Sequence, residues 1–286
     1  MTVAPYSAGT QRPSIEVPAR ACDCHMHIFD RRFAPSPHWR RTPRDAPVAA
    51  YRALQERLGT ELAVVVNPST YGTDNACTLD ALTAFGDTAR GVAVVDVDVS
   101  DADLQKMAVL GVVGVRVNFV SPQSWGTTTP DMLETLARRV APLGWHVQVF
   151  MTGAQVDGAR DVLARLPATL VIDHLGRVPQ PAGVDDPAFD AIRRLLDSGR
   201  VWVKLSGAYM DSIEGAPVYS DITAVARGFV DAAPERVVWG SDWPHTTATA
   251  PVDDAGLIDL LARWVPDAKT RRRVLVENPS KLYGFA

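Results

Sequence analysis

The fold class this sequence predicts is α/β: a (β/α)8 TIM barrel, one domain over residues 21–286. Three observations predict it. Eight short, nearly continuous apolar runs recur near residues 23, 64, 94, 116, 148, 171, 203 and 238. Each is followed by a segment with helical apolar spacing. No Asn-Gly type turn links neighbouring runs, so the strands do not pair as hairpins. Parallel strands covered by crossover helices have this continuous apolar character, and alternation over about 250 residues suits a closed barrel. A doubly wound open sheet is the runner-up, but no Gly-rich phosphate turn follows the first strand.

The elements follow in order. The first strand lies in residues 21–29, A-C-D-C-H-M-H-I-F. Strict alternation would put Asp23, His25 and His27 on one face, with Cys22, Cys24 and Met26 on the other. Cys24 then reads as a packing residue against helices. A Pro- and Arg-rich loop over 31–47 leads to a helix at 49–58 that Gly59 ends. Strand 2 occupies 61–67 and opens into P-S-T-Y-G-T-D-N. A helix over 77–89, a strand over 91–98, a helix over 101–110 with Ser100 as N-cap, and a strand over 114–119 come next. The second half repeats the pattern: helices at 131–143, 156–166, 187–198 and 219–232, strands at 146–151, 170–174, 201–205 and 237–239. Helical segments at 257–264 and 269–276 close the chain.

With 286 residues, 47% of them hydrophobic, the chain can bury one large core. A formal charge of -4 gives no broad attraction to nucleic acid or an anionic membrane, and neither partner is expected. No apolar run approaches the roughly twenty residues that span a bilayer. Residues 1–20 read as a flexible leader without the apolar run of a secretory signal. Cys22, Cys24 and Cys77 are too few for a disulfide framework, so a reduced, cytoplasmic setting is expected.

In such a barrel the reactive side chains sit at the C-terminal ends of strands. That rule collects His25 and His27 (strand 1), Ser69 and Tyr71 (after strand 2), Arg116 and Asn118 (strand 4), His174 (strand 6), Tyr209 (after strand 7), and Asp242 and His245 (after strand 8). His146 starts its strand and belongs to the opposite end as a structural histidine, and His38 decorates the Arg-rich loop. Asp242 by itself reads equally as a turn cap or as a group handling a proton or a metal. Arg116, a charge within an apolar strand, needs a partner, either a ligand carboxylate or an internal Asp.

The motifs H-M-H, V-I-D-H-L-G-R, W-V-K-L-S-G, W-G-S-D-W-P-H and a late E-N-P-S-K-L-Y resemble the amidohydrolase superfamily over nearly the whole chain from residue 21. Within it the likeness is to the lactone-hydrolase branch, which holds 2-pyrone-4,6-dicarboxylate lactonases, sugar-acid lactonases and galactarolactone isomerase. P-S-T-Y-G-T-D-N and R-G-V-A-V-V-D are similar to segments of the pyrone enzyme, and S-G-A-Y with P-V-Y-S-D to segments of the isomerase.

The resemblance implies a lactonase in which Asp242 activates water, while His25, His27 and His174 polarise the carbonyl. Arg116, Asn118, Ser69, Tyr71, Tyr209 and His245 would contact substrate. The superfamily's usual metal-binding histidine on strand 5 is absent, since residues 147–151 offer Gln148 and no imidazole. No obligatory cofactor is therefore expected, with a single Zn or Mn at His25, His27 and Asp242 as the alternative. Of the arginines that hold a dicarboxylate in the pyrone enzymes, Arg116 matches one. V-S-P-Q-S-W after Phe119 and S-G-A-Y-M-D-S after strand 7 supply none at the other two places. The isomerase carries Asn where Asp242 stands, which favours hydrolysis here. A metal-dependent hydrolase or decarboxylase, an aldarolactone isomerase and a non-catalytic barrel are the rival readings.

Overall fold

The computed structural model describes residues 4–40, 44–120 and 128–286. Residues 121–125 of the V-S-P-Q-S-W segment after strand 4 lie outside them. Eight parallel strands form one sheet in sequential order: β1 (Cys22–Met26), β2 (Leu62–Val66), β3 (Ala89–Ala93), β4 (Val112–Asn118), β5 (His146–Phe150), β6 (Leu170–Ile172), β7 (Val201–Leu205) and β8 (Val237–Trp239). Helices α1 (Val48–Leu58), α2 (Ala76–Phe85), α3 (Asp101–Val109), α4 (Pro130–Val140), α5 (Gly153–Ala164), α6 (Pro187–Asp197) and α7 (Thr223–Ala232) alternate with them. The chain ends in short helices α8 (Asp254–Asp259), α9 (Leu261–Trp264), α10 (Ala268–Arg272) and α11 (Asn278–Tyr283). This is the barrel that the recurring apolar runs predict.

Each strand is buried on both faces, which is why its sequence lacks a polar alternation. Val64, Val66, Val92, Val171, Trp202 and Val238 pack together in the lumen, with Tyr283 and Phe285 from the chain's end. Ala63, Val65, Val203 and Val237 face the helices. Ser100 and Thr129 cap α3 and α4 through their side chains, and Thr152 opens α5 with a full capping box.

Two departures from the sequence reading matter. Strand β1 carries a bulge: Asp23 pairs with Ala63 and Met26 with Val65, so three residues advance against two. Strict alternation therefore fails there. Cys22 and Cys24 pack in the lumen rather than against helices, and Met26 faces outward. Asp23 turns away from His25 and His27 and accepts a hydrogen bond from Tyr51 of α1 at 2.9 Å. Strand β6 is shorter than expected, because His174 leaves the extended region at φ 50°.

The barrel closes between β8 and β1 without a full ladder. Asp242 N–H donates to the His25 carbonyl at 2.7 Å, and His27 N–H to the Trp243 carbonyl at 2.8 Å. Below these, the Asp23 carboxylate accepts from Ser241 N (2.9 Å), Ser241 Oγ (2.5 Å) and His25 N (3.1 Å). Burial pushes its pKa up to about 6 against those donors. Gly240 permits the approach, because a Cβ there would lie 2.7 Å from His25 Cβ. Residues 4–20 run along the flank: Trp243 Nε1 donates to the Pro5 carbonyl at 2.8 Å, and Arg57 of α1 pairs with Asp253 while reaching Gly9 and Gln11. No helix among the described residues is long and apolar enough to cross a membrane.

Candidate active site

The extended strands deliver their polar ends to one rim, and three imidazoles converge there on one carboxylate. Asp242 Oδ1 lies 3.5 Å from Nε2 of His25, 3.5 Å from Nε2 of His27 and 3.9 Å from Nε2 of His174. Its Oδ2 accepts from the Tyr209 hydroxyl at 2.5 Å. Both Asp242 (φ 62°) and His174 (φ 50°) occupy the left-handed region, which side-chain-bearing residues seldom adopt and which concentrates at functional sites. Burial would raise the Asp242 carboxyl, but the surrounding His174, His27 and His25 hold it well below the usual range. The carboxylate is therefore ionised.

Each histidine is oriented by a partner behind it. His27 Nδ1 donates to the Val66 carbonyl at 2.8 Å. His174 Nδ1 meets Ser206 Oγ at 2.9 Å, and Gly207 leaves room for that ring, since a Cβ there would come within 2.9 Å of it. His25 is fully buried, its Nδ1 3.2 Å from Lys204 Nζ and 3.3 Å from Asp173 Oδ1. Burial lowers the pKa of His174 to about 4 and that of His25 well below its ordinary value, with Lys204 adding to the latter.

A charged cluster lies beneath them inside the barrel. Asp173 Oδ2 accepts from Arg116 Nε at 2.9 Å and Gln148 Nε2 at 3.0 Å, and Lys204 donates to Gln148 Oε1 at 2.7 Å. Arg116 thus has an internal Asp as partner, one of the two options its sequence context allowed. Its guanidinium also sits 4.9 Å from the Phe150 ring centre, where the ring face attracts it. Desolvation alone would raise Asp173, yet His25, Arg116 and Lys204 keep it well below the usual range. Lys204 was not singled out in the sequence, although a lysine within V-W-V-K-L was its signal.

The cleft above has a volume of about 310 Å³. His27, Ser69, Arg116, Asn118, His174 and Asp242 line it with Phe29, Trp39, Arg44, Thr70, Phe150, Met210, Thr246 and Thr247. Arg44 corrects the expectation of a single arginine. It reaches the cleft from the loop after β1, held by a bond to the Pro244 carbonyl at 3.0 Å, and an Arg-rich loop hid it. Ser69 and Asn118 are joined at 2.9 Å.

Three residues expected to meet substrate lie off this wall. Tyr71 is buried, its hydroxyl bonded to the Asp30 backbone. Tyr209 spends its hydroxyl on Asp242. His245 is 2% exposed and pairs with buried Asp254 at 3.0 Å, a carboxylate that raises its pKa against the effect of burial. Behind it, His245 Nδ1 meets the Tyr209 hydroxyl at 3.4 Å. His146 occupies the opposite end, buried beside Tyr283, and His38 is exposed in its loop.

His25, His174 and Asp242 form a cluster able to hold one divalent ion, their ligand atoms all within 4.8 Å of one another. His174 takes the place that the sequence reading assigned to His27. Two nitrogens and a carboxylate oxygen at these separations suit a Zn²⁺ or Mn²⁺ with open positions. Among the described residues His25 Nε2 has no hydrogen-bond partner, as a ligand atom would.

A family model described as Amidohydrolase matches residues 22–285. The 2-pyrone-4,6-dicarboxylate hydrolase of Comamonas testosteroni is 36% identical over 289 residues, covering 97% of this chain and 94% of that protein. The D-galactarolactone isomerase of Agrobacterium fabrum is 32% identical, covering 95% and 93%. An apo crystal structure from Agrobacterium tumefaciens, 30% identical, covers 96% of this chain and 99% of its own with a TM-score of 0.88. The chain belongs to the amidohydrolase family, in its lactone-hydrolase branch.

Proposed function

We propose that this protein opens the ring of a small anionic lactone, carboxylated and in part polyhydroxylated, with water activated by Asp242. The observation that carries this reading is the ionised Asp242 at the cleft floor, ringed by three imidazole Nε2 atoms. Water adds to the lactone carbonyl carbon as Asp242 takes one of its protons. Collapse of the tetrahedral intermediate breaks the ring C–O bond, and Asp242 returns the proton to the departing ring oxygen. The product is a ring-opened acid, and atoms balance without a further reactant. Donors from His25 and His174 stabilise the developing oxyanion. The His27 ring, with Nδ1 committed to Val66, offers Nε2 to orient the attacking water.

Substrate class follows from the wall. Arg116 and Arg44 present two guanidinium groups to one small cleft, a pairing suited to carboxylates by charge-assisted bonds. Ser69, Asn118, Thr246 and Thr247 suit hydroxyl or ring oxygens. Tyr71, Tyr209 and His245 support the site from behind. A 2-pyrone-4,6-dicarboxylate, the compound named for the Comamonas relative, has the matching anionic character. The buried, unpaired Cys22, Cys24 and Cys77 accord with a reduced, cytoplasmic setting.

The test is a hydrolysis screen of 2-pyrone-4,6-dicarboxylate, aldarolactones and neutral aldonolactones, read by proton release, with NMR of the products. Ring-opened acid from a carboxylated lactone is expected. A relocated lactone ring would identify an isomerase, and an inert protein across the panel would refute the reading.

A second reading is favoured by the His25, His174 and Asp242 cluster. An ion held by these residues would act as a Lewis acid on the carbonyl. We propose that no such ion is obligatory. Turnover that survives chelation, with no stoichiometric metal on analysis, is the expected result; activity lost to chelator and restored by Zn²⁺ or Mn²⁺ would overturn it.

A further inference from the structure

The buried cluster beneath the histidines has a hydrogen-bond logic that the hydrolytic scheme leaves unused. Gln148 stands between Asp173, which can only accept when ionised, and Lys204, which as an ammonium can only donate. Its amide has one orientation that satisfies both, with Nε2 to Asp173 Oδ2 (3.0 Å) and Oε1 to Lys204 Nζ (2.7 Å). The ammonium has three protons. Gln148 Oε1 and the Cys24 carbonyl (2.8 Å) accept two of them, and His25 Nδ1 at 3.2 Å is nearer to the nitrogen than the next acceptor, Asp173 Oδ1 at 3.8 Å, so the third is placed for His25. Asp173 Oδ1, although 3.3 Å from His25 Nδ1, is left without a hydrogen-bond partner among the described residues.

We propose that Lys204 is a positioning residue that fixes the tautomer of His25, making Nδ1 the acceptor and Nε2–H the donor aimed at Asp242 on the cleft floor. His25 then serves the developing oxyanion as a hydrogen-bond donor, and its Nε2 has no lone pair to offer a metal. The alternative is the tautomer with Nδ1–H toward Asp173, the arrangement that carboxylates impose on metal-ligating histidines. Lys204 selects against it. The inference deepens the lactonase reading for its catalytic part, but the tautomer can be measured without any substrate.

The experiment is long-range ¹H–¹⁵N NMR of metal-free, histidine-labelled protein near pH 7, with His25 assigned by its loss in His25→Gln. A protonated Nε2 and an unprotonated Nδ1 are expected for His25. In Lys204→Met, which keeps the length of the chain but not the ammonium, the proton should move to Nδ1. Equilibrium dialysis with Zn²⁺ should then show the variant binding about tenfold tighter or better than wild type, the scale on which outer partners tune metal sites. For whichever lactone wild type opens, kcat should fall about 100-fold with KM little changed, as for loss of one oxyanion donor.

Protonated Nδ1 in the wild-type protein overturns the proposal, as does a tautomer that stays the same in Lys204→Met. If that variant does not fold, the wild-type spectrum still decides the tautomer. A lactone screen without activity refutes the lactonase reading and leaves the spectrum as the judge of this one.

Discussion

Replacing Asp242 with Asn separates a base from a mere fold element. The amide keeps the shape of the carboxylate and can still accept the 2.5 Å hydrogen bond from Tyr209 through its oxygen. Asp242 N–H still donates to the His25 carbonyl, so the closure between β8 and β1 survives. What is lost is the capacity to take a proton. General-base contributions reach about 10²–10⁴ in rate. With Asp242 as the base, the upper part of that range applies, a fall of about 10³–10⁴ in kcat. At 1.36 kcal/mol per decade this is about 4–5.5 kcal/mol of barrier. KM should change less than about threefold, because the proposed mechanism assigns substrate binding to Arg116 and Arg44 rather than to Asp242. The assay is initial-rate hydrolysis of whichever anionic lactone wild type opens, alongside circular dichroism and thermal unfolding to confirm a native, cooperative fold. A folded Asp242→Asn protein that retains activity within tenfold of wild type refutes the mechanism.

Other outcomes follow from the same geometry. Arg44→Met should raise KM for a dicarboxylated lactone by about 10- to 100-fold, the worth of a charged hydrogen bond, and leave neutral lactones nearly unchanged; equal effects on both would remove Arg44 from substrate binding. Tyr71→Phe should leave kcat/KM within about threefold and cost about 1 kcal/mol in urea unfolding, because its hydroxyl serves the Asp30 backbone. His174 is held to about 4 when folded against about 6.5 unfolded, so between those values the unfolded chain binds more protons. Stability should therefore fall as pH drops from about 6.5 to 4, by at most about 3 kcal/mol from this residue. His174→Gln should flatten that slope in urea unfolding measured at pH 7 and pH 5, and an unchanged slope would contradict the assignment.

Local composition carried the architecture. Val237–Trp239 is apolar throughout, and Val201–Leu205 in all but Lys204, because both faces are covered, and their boundaries were readable to the residue. His25, His27, His174, Arg116 and Asp242 were legible as a set because strand ends in a closed barrel share one rim. Tyr71 and His245 were misplaced because proximity to a rim says nothing of which way a side chain turns. Arg44 was overlooked because a loop's path through space is not encoded in periodicity.

The sequence by itself determined the eight-stranded barrel, the rim and the chemical types of the groups upon it, since burial pattern and strand order follow from local apolar runs. Tertiary structure alone decided what those groups do to one another. The bulge in β1 turned Asp23 outward and His25 inward, a parity change that no alternation pattern reveals. Lys204 of β7, Gln148 of β5 and Asp173 just past β6 meet only inside the closed lumen, where low dielectric makes every proton's direction count. Protonation and tautomer depend on partners from 25 residues apart (Gln148 and Asp173) to 180 (Lys204 and Cys24), and only folding brings them within reach.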